Sequence, residues 1–203
     1  MDFASSTVVD VAFPLRGTAL PRDHRMLLAQ ALAEVAPWLA DDPRSALLPV
    51  KVVHGVGDPA LLPARARLLV RAARERAQAL RGLSGRRLRL GNDEVVLGDP
   101  VVRELLPHAT LYAHFVDAAG ADEATFLEAT AAELKRLDAA CHCVCGREQS
   151  LRGPGHALHG FSLLLHGLRA AASLRVLEQG LGGHRWMGCG VFVPHKSAAA
   201  VGD

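Results

Sequence analysis

Pro107-His108-Ala109-Thr110-Leu111-Tyr112-Ala113-His114-Phe115 is where the chain begins its pattern a second time. Proline interrupts whatever precedes it, and Leu111, Ala113 and Phe115 then alternate with other residues as a half-buried strand does. Forward from there, Asp122 is placed to cap a helix whose buried stripe is Phe126, Leu127, Thr130, Leu134 and Leu137. Two strands follow, around Cys141 to Leu151 and His156 to His166, separated by Gly153-Pro154-Gly155. A helix over Ala170 to Gln179 and a last strand over Gly188 to Val193 complete this half.

The half before Pro107 reads the same way. Val9, Val11, Phe13 and Leu15 alternate as a strand, and Asp23 is placed to cap a helix through Leu27, Leu28, Ala31, Leu32 and Val35. Strands are expected over Val50 to Val56 and Arg65 to Arg71, a helix over Glu75 to Leu83, and a strand opened by Leu88 and Leu90. Each half is therefore β-α-β-β-α-β, the split βαβ unit. The expected fold class is α+β, a tandem pair of ferredoxin-like (RRM-like) domains over residues 1–107 and 108–203.

Composition narrows the function classes. The formal charge of +2 carries no whole-chain argument for nucleic acid, but of the 23 basic side chains only Lys51, Lys135 and Lys196 are lysines. Arginine's planar fork suits phosphates and guanine edges, although a GC-rich genome gives the same bias. No run of eighteen apolar residues and no charged-then-apolar leader is present, so no membrane contact is expected and a reducing cytoplasm is the default compartment.

Between the last helix and the last strand lies Gly180-Leu181-Gly182-Gly183-His184-Arg185-Trp186-Met187-Gly188-Cys189-Gly190. Its five glycines let a backbone approach a ligand closely, and His184 and Arg185 supply donors for phosphate. It is not a dinucleotide fingerprint, which needs strand, glycines and helix in that order. A flexible helix-to-strand connection would use glycines equally well.

A tandem pair of this kind with a glycine-rich turn before the last strand resembles the CRISPR repeat-processing endoribonucleases, within the repeat-associated RNA-binding superfamily. The similarity is to the MYXAN-type branch. It is carried by Phe13-Pro14-Leu15-Arg16-Gly17, Leu20-Pro21-Arg22-Asp23-His24 and Pro37-Trp38-Leu39 near one end. Near the other it is carried by Gly160-Phe161-Ser162, Ser173-Leu174-Arg175 and Gly180 through Lys196. The resemblance implies an enzyme that binds a repeat stem-loop in precursor CRISPR RNA and cuts at its base without a metal or other cofactor. The 2'-hydroxyl would attack the adjacent phosphate, leaving a 2',3'-cyclic phosphate and a 5'-hydroxyl. It also implies that the product stays bound and that other effector-complex subunits are partners.

The candidate catalytic residues are His24 and His54. His24 follows Asp23 at a helix start, where the helix N-terminus disfavours the charged imidazole, and relatives place a catalytic histidine there. His54 lies where the second expected strand gives way to a loop. From Arg65 to Arg89 there are nine arginines and one acid, Glu75. Arg65, Arg67 and Arg71 would share one strand face, Arg74 would lie on the helix that follows, and Arg86, Arg87 and Arg89 come after it. This suits an RNA stem read through its phosphates, or simply a solvated face. Gly182, Gly183, His184, Arg185 and Lys196 are the remaining RNA-binding candidates. Cys141, Cys143 and Cys145 would lie on one side of a strand and so cannot readily surround one zinc ion, and no metal site is expected. Two other functions fit the same fold: a non-catalytic RNA-binding subunit, and a double ferredoxin-like small-molecule or protein-interaction module.

Overall fold

The computed structural model describes residues 6–152, 155 and 157–195. The chain divides into two compact units: Met1–Glu104 with Trp186–Gly188, and Leu105–Arg185 with Cys189–Asp203. The division falls at Glu104 and Leu105, with Pro107 as the expected boundary.

Unit 1 runs β1 (Val8–Arg16), β2 (Ala19–Leu20), α1 (Arg25–Val35), α2 (Pro37–Asp41), β3 (Ala46–Leu48), β4 (Ala60–Leu61), β5 (Arg67–Ala73), a 3₁₀ turn over Arg74–Arg76, α3 (Ala77–Arg81), β6 (Arg87–Leu90), β7 (Asp93–Leu97) and β8 (Val101–Glu104). The main sheet has the order β3-β5-β1-β7-β6, with β8 also paired to β1, and every pairing is antiparallel. Strand β1 pairs with β5 from Val8 to Pro14, while its other edge takes β8 over Val9–Ala12 and β7 at Leu15 and Arg16. A strand with partners on both edges is central, and β1 is buried from Val8 to Phe13 apart from half-buried Asp10. The β3-β5-β1-β8 path is the ferredoxin-like order, and the β6–β7 hairpin is an addition to it.

Unit 2 runs β9 (Thr110–Asp117), α4 (Glu123–Arg136), β10 (His142–Arg152), β11 (Ala157–His166), α5 (Ala170–Gln179) and β12 (Val193–Pro194), with the ferredoxin-like sheet order β10-β11-β9-β12. Asp122 caps α4 by accepting from the Thr125 N–H at 2.9 Å, and of the expected stripe Phe126, Thr130, Leu134 and Leu137 are buried while Leu127 is half-buried. Among the described residues no helix is long and apolar enough to cross a membrane.

Several expectations need correction. Residues 50–56 form no strand; the short β3 at Ala46–Leu48 pairs with β5 instead, and Val53 donates across a loop to Leu61 O at 2.9 Å. The helix expected over Glu75–Leu83 is a 3₁₀ turn followed by the five-residue α3. Strands β7 and β8 were not foreseen, because Gly91-Asn92 and Gly98-Asp99-Pro100 break the apolar runs that carry them. Of the last expected strand only Val193 lies in a strand, which continues to Pro194, since Gly188 and Gly190 take positive φ. Asp23 does not cap α1: His24 occupies the N-cap position and no side chain caps that helix. Gly153, Pro154, His156 and Lys196 lie outside the described residues.

Arg71 was expected to face RNA. It is 1% exposed and holds Asp10, its direct cross-strand partner, in a bidentate ion pair, Nε to Oδ1 at 2.8 Å and Nη2 to Oδ2 at 3.0 Å. The strand alternation is as read, but β5 is an interior strand, and interior positions bury a charge only when it is paired. Arg71→Leu should destabilise unit 1 by about 3–5 kcal/mol, whereas Asp10→Val with Arg71→Leu should recover most of that. Urea unfolding of the three proteins checks it.

Candidate active site

At the start of α1 the chain turns through Pro21, Arg22 and Asp23, and His24 points into the protein with 4% of its surface exposed. Its Nδ1 lies 3.1 Å from Pro21 O and its Nε2 accepts from the Val50 N–H at 3.1 Å. A carbonyl can only accept and an amide N–H can only donate, so the ring carries its proton on Nδ1 and is neutral. Burial pushes its pKa below the ordinary 6.5, and the Pro21 hydrogen bond opposes that only in part. The neutral state matches expectation, but its main cause is desolvation, and both ring nitrogens are already engaged.

His54 has the opposite setting. It is exposed on the loop between β3 and β4. The far end of that loop is tied to the approach to α1. Arg22 donates its N–H to Asp58 Oδ1 at 2.9 Å and its Nε–H to Gly57 O at 2.9 Å, and β2 pairs with β4 through Ala19–Leu61 and Leu20–Ala60. The two candidate histidines are therefore linked through backbone, His24 at the foot of the loop and His54 on it.

The arginines divide by face. Direct cross-strand partners share a face of a sheet. Arg67 lies opposite Pro14, and Arg16, two residues along β1, lies opposite Val96, itself opposite Arg87. Arg16, Arg67, Arg87 and Arg89 thus project from one face of the unit 1 sheet, all exposed, with Arg65 and Arg86 exposed just outside the strands. Arg16 was missed by sequence reasoning, although the Leu15-Arg16 alternation at the end of β1 could have found it. Two of the expected contacts are partly satisfied within the protein: Arg87 pairs with Glu94 at 2.9 Å, and Arg74 donates to Glu104 and to Ser6 O.

In the glycine-rich turn the glycines do different work. Gly190 donates to Phe115 O at 2.7 Å and accepts from Leu181 N–H at 3.1 Å. A Cβ on Gly190 would fall 1.7 Å from Leu181 O, and one on Gly180 would fall 2.4 Å from Gly190 O. These two glycines close the base of the turn. Gly182 has φ of +69° and gives its N–H to the Glu133 carboxylate at 3.0 Å. Gly183 is exposed, with nothing within 4 Å of where its Cβ would stand. His184 is exposed, with φ of +58°, and its Nε2 lies 3.5 Å from Asp117 Oδ2. Arg185 folds back, Nη2 donating to Glu178 O at 2.8 Å, and so caps the end of α5. One end of its guanidinium is thus engaged by the preceding helix α5, where an RNA phosphate was expected.

Cys143 and Cys145 stand opposite Leu165 and Leu163 on one side of the edge strand β10, while Cys141 lies just before that strand, and among the described residues no three metal-ligating side chains converge. Gly190→Ala should prevent unit 2 from folding, while Gly183→Ala should leave its melting temperature within about 2–4 °C, since an unhindered surface change costs under roughly 0.5 kcal/mol. Thermal unfolding followed by circular dichroism reads both.

The Cas6 CRISPR family model matches residues 9–197. The chain is 36% identical over 194 residues to the CRISPR-associated endonuclease Cas6 of Myxococcus xanthus, covering 95% of this chain and 84% of that one. In fold it is similar to a CRISPR-associated protein Cas6, with a TM-score of 0.69, 12% identity and coverage of 93% and 100% of the two chains. It is also similar to Thermus thermophilus Cse3 bound to an RNA representing a pre-cleavage complex, with a TM-score of 0.51, 13% identity and coverage of 92% and 98%. With the family model spanning both units and a curated relative aligned over nearly the whole length, this chain belongs to the Cas6 family of CRISPR endonucleases.

Proposed function

We propose that this chain is a metal-independent endoribonuclease that binds the repeat stem-loop of precursor CRISPR RNA and cuts it to guide length. Membership of the Cas6 family carries the reading. The cut needs three things from the protein: a base near the 2'-hydroxyl, an acid near the leaving 5'-oxygen, and positive charge for the phosphorane. The 2'-oxygen loses its proton and bonds to phosphorus, and the P–O5' bond breaks as that oxygen gains a proton. A 2',3'-cyclic phosphate and a 5'-hydroxyl remain.

Of the two candidate histidines, His54 is exposed and His24 is buried, and on that ground we assign His54 the acid–base role. His24 has no free ring nitrogen with which to receive the nucleophile's proton while its two backbone bonds stand. The exposed face of Arg16, Arg67, Arg87 and Arg89, flanked by Arg65 and Arg86, offers cations to the stem phosphates. Gly183 and His184 offer a second point of close approach. The enzyme acts in the cytoplasm and hands its bound product to other effector-complex subunits.

Cleavage of the cognate repeat should proceed at full rate in excess EDTA; loss of activity restored by magnesium would overturn the metal-independent mechanism. His54→Ala should slow cleavage by about 10²–10⁴, the usual worth of one acid–base group, with repeat affinity within a few-fold of the wild type. Single-turnover cleavage beside a gel-shift titration measures both. A wild-type rate in His54→Ala would return the acid–base role to another residue.

A further inference from the structure

We propose that His24 is a positioning residue: its neutral imidazole ties the backbone at Val50 to the turn at Pro21 and holds in place the loop that carries His54. The inference rests on His54 being the acid–base group.

The argument begins with what an imidazole can do. A neutral ring has one donor and one acceptor nitrogen, and here each meets the backbone group that needs it, Pro21 O and Val50 N–H. Val50 is itself buried and stands two residues beyond β3. His24 thus bonds the chain just as it leaves the sheet. The other end of the loop is held by Arg22 on Gly57 and Asp58, by Val53 N–H on Leu61 O at 2.9 Å, and by Leu62 N–H on Thr18 O at 2.9 Å. Every tie except the Val53–Leu61 bond comes from residues 18–24. His54 is carried on the stretch between these attachments, so its place depends on both ends staying fixed.

Protonation sets a limit on the clamp. A charged ring has two donors, and Nε2–H would then face the Val50 N–H, donor against donor. The charged groups that act on the ring are Arg25, which opposes protonation, and Asp23, which favours it, each less than burial does. Because the folded pKa lies below the ordinary 6.5, the unfolded or opened loop takes up the proton first. The clamp is intact above pH 6.5 and weakens as the pH falls from there through the lowered value.

Amide hydrogen exchange at Val50, corrected for the intrinsic pH dependence of exchange, reads the clamp without reference to catalysis. The same proteins are assayed for single-turnover cleavage and repeat affinity. His24→Ala should raise Val50 exchange at least tenfold and slow cleavage while affinity holds. His24→Gln, whose amide oxygen can accept from Val50, should recover protection and most of the rate. Having no group that titrates near neutrality, His24→Gln should also lose the wild type's acid-side loss of Val50 protection. Unchanged Val50 exchange in His24→Ala overturns the proposal. So does a His24→Gln protein that regains protection yet cuts as slowly as His24→Ala, which would make the imidazole itself a reactant. If His54→Ala cuts normally, the functional assignment fails, while Val50 exchange still decides whether the clamp exists.

Discussion

The residues Val8–Arg16 exchange backbone hydrogen bonds with β5 along one edge and with β8 and then β7 along the other. The rest of unit 1 is arranged around this doubly paired strand. Because β1 has no free edge, its side chains from Val8 to Phe13 are largely buried, and a charge at Asp10 is tolerated only because Arg71 stands directly opposite. Past Phe13 the burial alternates: Leu15 stays buried while Pro14 and Arg16 are exposed, and Arg67 and Arg87, on the same face as Arg16, are exposed with them. One strand therefore separates the arginines that hold the fold from those available to an RNA.

The glycine-rich turn shows a similar division within a few residues. Its outermost glycines are required by the protein, because two backbone segments pass too close for a Cβ. A turn closed by Gly180 and Gly190 holds Gly183 and His184 at the surface while Arg185 caps the helix behind them. Acidic groups also reach the turn: Glu133 takes the Gly182 N–H and Asp117 lies beside His184. A phosphate bound there would have to compete with carboxylates for those donors, so the turn is not a broad cationic cradle.

The two histidines illustrate how burial assigns roles to one side-chain type. Desolvation and two backbone partners fix His24 in one tautomer, which makes it a good strut and a poor proton carrier. His54, exposed on the loop between β3 and β4, keeps the freedom that the proton transfer we propose for it needs. A loop held at its ends and open in its middle can present one imidazole without burying it.

The sequence by itself determined the repeated β-α-β-β-α-β order, the α4 cap at Asp122 and its buried stripe, the α5 limits and the family. These depend on local periodicity, on capping chemistry and on motif residues near each other in the chain. It did not determine that β5 is an interior strand, so Arg71 and Arg67, alike in the pattern, could not be told apart. Nor did it reveal that Val50, twenty-six residues from His24, supplies the N–H that occupies its second ring nitrogen. Spacing along the chain specifies which face a side chain is on; only packing specifies what lies against that face. Burial and hydrogen-bond partners come from segments distant in sequence, and for that reason the tertiary structure alone decided which arginines and which histidine remain open to a ligand.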